Sequence, residues 1–182
     1  MAYIELNNDL PGIRGLMAFR PQMSLPLNDF AEQLLRADNS LSRGDRELIA
    51  TYVSYLNDCY FCQQAHGGIA QHYLSCTTTF IDEVKADFTT TDLSDKMKSL
   101  LTIAAAVQRS GKAVTQEHVD HALAAGATDN EVHDTVLIAA AFCMFNRYVD
   151  GLGTWAPKYR DFYIQRGKQR AEEGYANYNP AH

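Results

Sequence analysis

Glu47-Leu48-Ile49-Ala50-Thr51-Tyr52-Val53-Ser54-Tyr55-Leu56-Asn57-Asp58-Cys59-Tyr60-Phe61-Cys62-Gln63-Gln64-Ala65-His66 is the stretch whose reading decides the fold. Leu48, Ile49, Tyr52, Val53 and Leu56 recur at i, i+1, i+4, i+5 and i+8, the apolar stripe of a helix. Ser42 to Asp45, just before it, has the form of an N-terminal cap. Asn57-Asp58 punctuates that helix and can cap a second one, which carries Cys59 and Cys62 in its first turn and then His66, Ile69, Ala70 and Tyr73. Residues three and four apart share a helical face, so Cys59, Cys62 and His66 line one edge. On a single straight helix Glu47 and Cys59 would stand about 18 Å apart, too far to cooperate. The chain must therefore turn at Asn57-Asp58. In that hairpin Glu47, about ten residues before the turn, comes level with His66, about eight after it. Glu47 is expected to act through His66 or a water and not by bonding Cys59 directly. Gly67-Gly68 costs the second helix about 1 kcal/mol per residue against alanine, which suggests another backbone packed closely there, or a weak helix.

Helical periodicity continues outward in both directions, and strand signals are weak. Upstream, Pro21 and Pro26 read as a loop, after which Asn28 caps a short helix carrying Phe30, Leu34 and Leu35. Downstream, residues 76–92 read as a polar loop around one short helix near 80–86. Ser94 caps a helix with Met97, Leu100, Leu101, Ala104 and Val107, ending at Ser110-Gly111. Thr115 caps a short helix stopped by Gly126. A long apolar helix starts from Asp129, spans 132–149, and ends at Gly151 and Gly153. A last helix over 157–168 leads into a polar tail, 170–182, expected to be mobile or docked on another subunit. The chain reads as an all-α, compact single-domain helical bundle of six to eight helices, with a core over about 24–153 and a C-terminal helix and tail over 154–182.

At 182 residues, one domain can bury a real core without covalent staples. A net charge of -6 and a pI near 5.4 argue against nucleic-acid or anionic-membrane binding, which needs a basic surface. The first twenty residues lack the apolar block of a secretory signal. The longest apolar run, 136–145, is too short to span a bilayer. The expected location is cytoplasmic. There, four cysteines do not form a disulfide framework, and a Cys-x-x-Cys is catalytic or metal-binding.

A carboxylate, an imidazole and a vicinal dithiol suffice to make one thiol nucleophilic and to let its partner close a disulfide. A helix N-terminus adds unpaired N–H groups and a macrodipole that favour a thiolate. The rival reading is a zinc site, half built by Cys59, Cys62 and His66 and completed by His72 or Cys76, although the second Cys/His pair of a zinc knuckle is not present. No metal or other cofactor is expected. His118 and His121 share a face with Glu117 and Asp120 and read as solvated. Cys143 reads as a buried small hydrophobe. Asn146-Arg147, interrupting an apolar helix, reads as a buried hydrogen-bonding pair that meets Asp150 or an interface carboxylate. Tyr52, Tyr55, Tyr60 and Phe61 read as core or interface, with Tyr55 or Phe61 available to line a pocket.

Glu47, eleven intervening residues, then Cys59-x-x-Cys62-x-x-x-His66 resembles the active-site signature of the alkylhydroperoxidase-D-like proteins of the carboxymuconolactone decarboxylase superfamily. Arg46-Glu47-Leu48-Ile49-Ala50, Val53-Ser54, Asn57, Val114-Thr115, Ala125-Gly126-Ala127-Thr128-Asp129 and Phe145-Asn146-Arg147 resemble its branch of peroxidase-related proteins, over residues 24–153. The resemblance implies an all-helical homo-oligomer, trimer or hexamer, that reduces organic hydroperoxides. It implies Cys62 as the sulfur that attacks peroxide, Cys59 as the proton donor and resolving thiol, and Glu47 with His66 as the proton relay. It also implies an external dithiol reductant, a thioredoxin-like or lipoyl protein. Alkylhydroperoxidase D itself carries a histidine beside the second cysteine; here Phe61 stands there, so the relay has one member fewer and the pocket is more apolar. Two alternatives belong to other classes. One is a lyase like the decarboxylase of the superfamily's name, whose members generally lack the dithiol. The other is a non-enzymatic redox or zinc sensor.

Overall fold

The computed structural model describes residues 2–176, among which nine α-helices and two 3₁₀ turns are found and no strand. The all-α reading stands, and the helix count exceeds the expected six to eight. The additional helix, α1 (Ile13–Phe19), follows Gly12, which supplies no side-chain cap. It is held by burial of Leu16 and Met17, a tertiary effect that leaves no local signal.

The next element corrects a boundary. Pro21 and Pro26 do not lie in a loop; α2 runs from Pro21 to Arg36. Pro21 sits at N1, where the missing N–H has no helical partner anyway. Pro26 forgoes one ladder bond, and burial of Ala31, Leu34 and Leu35 holds the helix nonetheless. Asn28 is therefore not a cap. It is buried in mid-helix, with Nδ2 donating to Ser24 O at 2.9 Å and Ser24 Oγ at 3.0 Å.

Two helices form the centre. α3 (Arg43–Leu56) starts at Ser42, whose Oγ accepts from Asp45 N–H at 3.1 Å. α4 (Tyr60–Leu74) follows after a tight reversal in which Asp58 takes φ 56° and Cys59 is the extended N-cap. Aspartate adopts this left-handed geometry more readily than most residues, which is why the chain can reverse here. The turn is anchored by a polar network. Gln108 Nε2 donates to Asn57 Oδ1 (2.9 Å), Asn57 Nδ2 to Asn146 Oδ1 (2.8 Å), and Asn146 Nδ2 to Ser54 Oγ (3.0 Å). Asn146 thus does bond in the interior, although with Asn57 and Ser54 and not with Asp150. Arg147 does not share that burial. It is exposed, and its Nη1 donates to Cys143 O of its own helix.

α5 (Thr78–Asp87) flanks the centre, α6 (Asp95–Arg109) and α8 (Asp129–Gly151) pack against α3, and α7 (Gln116–Ala124) packs outside them on α6 and α8. The start of α8 is a capping box. Thr128 Oγ1 accepts from Glu131 N–H, and Glu131 Oε2 accepts from Thr128 N–H. Leu48, Ile49 and Val53 of α3, Leu100, Leu101, Ile103 and Ala104 of α6, and Ile138 and Ala139 of α8 are fully buried together.

α9 (Arg160–Glu173) lies along α4, starting and ending later than the expected 157–168. Here the Gly67-Gly68 question is answered in favour of a close backbone approach. A Cβ built on Gly68 would collide with Tyr163 C and O, and one built on Gly167 with Gly68 C and O and Ile69 N, all main-chain atoms that cannot swing away. Alanine at 167 gains about 1 kcal/mol of helix propensity but must force the two helices apart, an overpacking cost of about 1–3 kcal/mol or more. Gly167→Ala is expected to lower the urea unfolding midpoint at an unchanged slope, whereas Gly111→Ala, where a Cβ meets nothing within 4 Å, is not.

Candidate active site

The hairpin brings the carboxylate and the imidazole to one level. Glu47 Oε2 and His66 Nδ1 are 2.7 Å apart, as the register of α3 against α4 predicts. Glu47 is wholly buried, and the His66 side chain is 16% exposed. A buried carboxylate needs hydrogen-bond donors to remain charged. Its second oxygen finds one that the sequence reading missed, since the Tyr175 hydroxyl donates to Glu47 Oε1 at 2.6 Å. The same hydroxyl stands 3.4 Å from His66 Nδ1, and the two rings stack with centroids 6.2 Å apart. Phe142 of α8 meets the His66 ring edge-on at 4.6 Å.

Tyr175 reaches this position because the tail is docked in cis. Gly174, at φ 78°, ends α9, and Glu32 Oε2 accepts from Tyr175 N–H at 2.6 Å. Tyr73 OH donates to Ala171 O at 2.8 Å. Up to residue 176 the expectation of a tail mobile or docked on another subunit is therefore corrected; 177–182 lie outside the described residues. The one local signal for Tyr175 is a glycine that stops a helix and is followed by an aromatic, a pattern common to many helix ends. Burial, then the charge on Glu47 and the hydrogen bond to it, push the Tyr175 hydroxyl well above the ordinary tyrosine range. It stays a proton donor.

The two sulfurs are both free thiols and both buried, but they differ in surroundings. Cys62, in the first turn of α4, lines a cavity together with His66, Phe61 and Tyr175. Cys59 sits behind it, enclosed with Val149 and Tyr163. The neighbouring Cys62 sulfur, then burial, push the Cys59 thiol upward, so it remains protonated. Asp150 is a second neighbour that the sequence reading assigned elsewhere. Burial raises its carboxyl above the ordinary range, partly offset by the neighbouring Cys59 thiol.

The cavity measures about 110 Å³, somewhat below the roughly 150 Å³ of an engineered apolar cavity that holds benzene. Ile13, Met17, Leu27, Ile69, Phe145 and Phe162 are among its apolar lining, and Arg14, Arg166 and Arg170 also border it. Phe61 lines the cavity and packs edge-on to Tyr163 at 5.9 Å, whereas Tyr55 is 40% exposed and does not.

Among the described residues no group of three or more His, Cys, Asp or Glu side chains is placed to hold a metal ion. His72 stands ten residues beyond Cys62 on α4, about 15 Å along the axis, and is exposed, so it cannot complete a site with the dithiol. No helix among the described residues is long and apolar enough to cross a membrane.

Residues 21–84 and 77–156 match the model of the carboxymuconolactone decarboxylase family. Among solved structures, the chain is similar to an alkylhydroperoxidase AhpD core, an uncharacterized peroxidase-related protein from Ralstonia eutropha JMP134. The two are 25% identical with a TM-score of 0.77, over 87% of this chain and 81% of that one. An uncharacterized peroxidase-related protein from Silicibacter sp. TM1040 is 21% identical with a TM-score of 0.76, over 86% and 80% of the two chains, and shares the fold. No curated protein is matched.

Proposed function

We propose, for a chain that belongs to the carboxymuconolactone decarboxylase family, a thiol-dependent peroxidase that reduces organic hydroperoxides at Cys62. The observation that carries this reading is the fully buried Glu47 bonded to His66 at 2.7 Å, one helical turn from a cysteine that shares a cavity with that histidine. Glu47 holds Nδ1 of the ring, leaving Nε2 to take a proton from Cys62 directly or through a water. The Cys62 thiolate attacks the terminal oxygen of the hydroperoxide, and the O–O bond breaks. A sulfenic acid forms, and the alkoxide leaves as the alcohol with the proton that His66 returns. The Cys59 thiol then condenses with the sulfenic acid to give the disulfide and water. An external dithiol, of the thioredoxin-like or lipoyl class, restores both thiols by exchange and is itself oxidised.

Apolar walls support an alkyl or aryl hydroperoxide as substrate in preference to hydrogen peroxide, because the organic group gains from leaving water. Assembly with further copies and a reducing cytoplasmic setting belong to the same proposal. Exposed Leu137 and Met144, both on α8, supply apolar surface for such contacts. A lyase reading would leave the paired sulfurs without a use. The test is consumption of cumene hydroperoxide by the purified protein with dithiothreitol. Turnover faster than with hydrogen peroxide is expected, and no consumption with any dithiol reductant refutes the peroxidase.

A further inference from the structure

We propose that Tyr175 is a positioning residue of the Glu47–His66 relay, its hydroxyl holding the carboxylate ionised and turned toward the imidazole. The proposal rests on the reading of Cys62 and His66 as the reacting pair. Three independent features point to it. The hydroxyl donates to Glu47 Oε1 at 2.6 Å while Oε2 serves His66, so both carboxylate oxygens are engaged and the group cannot rotate without losing a bond. The tyrosine ring stacks on the imidazole, which Phe142 meets edge-on, and the two contacts together fix the plane of the histidine ring. The backbone is anchored by Glu32, which is itself held by Arg36 Nε at 3.0 Å, so the hydroxyl is placed by α2 as well as by α9.

The chemical consequence follows from the tautomer. A protonated Glu47 would donate its own proton to Nδ1, putting the imidazole N–H on Nε2, where it could no longer accept from Cys62. A donor on Oε1 favours the ionised carboxylate and so the tautomer with Nε2 free. The groups facing the hydroxyl are Glu47 from α3, His66 and Tyr73 from α4, and Arg170 from α9, whose guanidinium lies 5.8 Å from the ring centre; α8 adds the apolar Phe142, near the imidazole. Of these, the donor that reaches Oε1 is Tyr175.

The experiment follows iodoacetamide alkylation of Cys62, by peptide mass spectrometry, and cumene hydroperoxide turnover across pH in the wild type, in Tyr175→Phe, and in protein carrying 3-fluorotyrosine at position 175. Tyr175→Phe is expected to lose about tenfold in both rates on the acid side, the scale of one hydrogen bond to a charged group, and to converge with the wild type at alkaline pH. The more acidic fluorinated phenol is a stronger donor and is expected to shift the acid limb the other way. If the Tyr175→Phe variant does not fold, as judged by its melting curve, the fluorinated protein alone decides. Equal losses at every pH, or unchanged profiles, overturn the proposal, since packing alone does not move a titration. If the wild type consumes no hydroperoxide, the peroxidase reading falls, and the alkylation profiles still decide on Tyr175.

Discussion

Cys62→Ser is expected to reduce hydroperoxide turnover to the uncatalysed background, while prereduced Cys59→Ser, with no thiol added, is expected to consume one equivalent per site and stop. The asymmetry comes from the surroundings of the two sulfurs. Cys62 lines the cavity and lies one turn from His66, so a bound hydroperoxide meets that sulfur first. Cys59 is sealed behind it, its thiol pushed upward by the neighbouring Cys62 sulfur and by burial, so it stays protonated and is a poor nucleophile toward peroxide. A serine hydroxyl at 62 has no thiolate to offer at neutral pH. In Cys59→Ser the first step proceeds and a sulfenic acid accumulates, because no second sulfur is at hand to condense with it. Dimedone trapping followed by mass spectrometry reads the difference: one adduct on Cys62 in Cys59→Ser, none in Cys62→Ser. The reverse pattern would exchange the two roles.

How much of this arrangement could be read beforehand depends on sequence separation. The α3–α4 hairpin was legible because each step is local: a stripe of five apolar residues, a Ser42 cap, an Asn-Asp punctuation, and a rise per residue that sets Glu47 against His66. The Gly67-Gly68 pair announced a close approach but not its partner, α9, nearly a hundred residues further on. Tyr175 was not legible. It meets Glu47 across 128 residues, from a segment whose polar composition resembles any solvated tail. The error at Pro21 and Pro26 has a different origin. Proline in a helix interior breaks it, whereas at N1 it begins one, and the burial of α2 outweighs the bond lost at Pro26. Asp150 shows a third kind of failure. Its carboxyl follows an odd Asn-Arg pair closely enough to suggest a bond within α8, but Asn146 turns to the hairpin and leaves Asp150 beside the Cys59 thiol.

Glu47→Gln is expected to slow hydroperoxide reduction by about 10²–10⁴-fold, the range for loss of a positioned acid–base group, without lowering the melting temperature. The two halves of this prediction come from the same burial. Glu47 is wholly enclosed in α3 among Leu48, Ile49, Ala50 and Thr51, so its charge carries a desolvation cost that only two hydrogen bonds offset. Glutamine keeps the shape, and its carbonyl oxygen can still accept from either Tyr175 or His66. Its amide nitrogen then faces the other partner: a tyrosine oxygen, which can accept, or a ring nitrogen, which can accept after a change of tautomer. Stability therefore has little to lose. Activity loses the negative charge that offsets the imidazolium formed as His66 takes a proton from Cys62, and in the second arrangement the acceptor nitrogen as well. A charge held in the interior at a cost to stability and needed for turnover is the mark of a functional group. A variant that melts early but keeps its rate would make Glu47 a structural residue. One that keeps its fold and loses its rate would make it the charge that supports His66 as the base for Cys62.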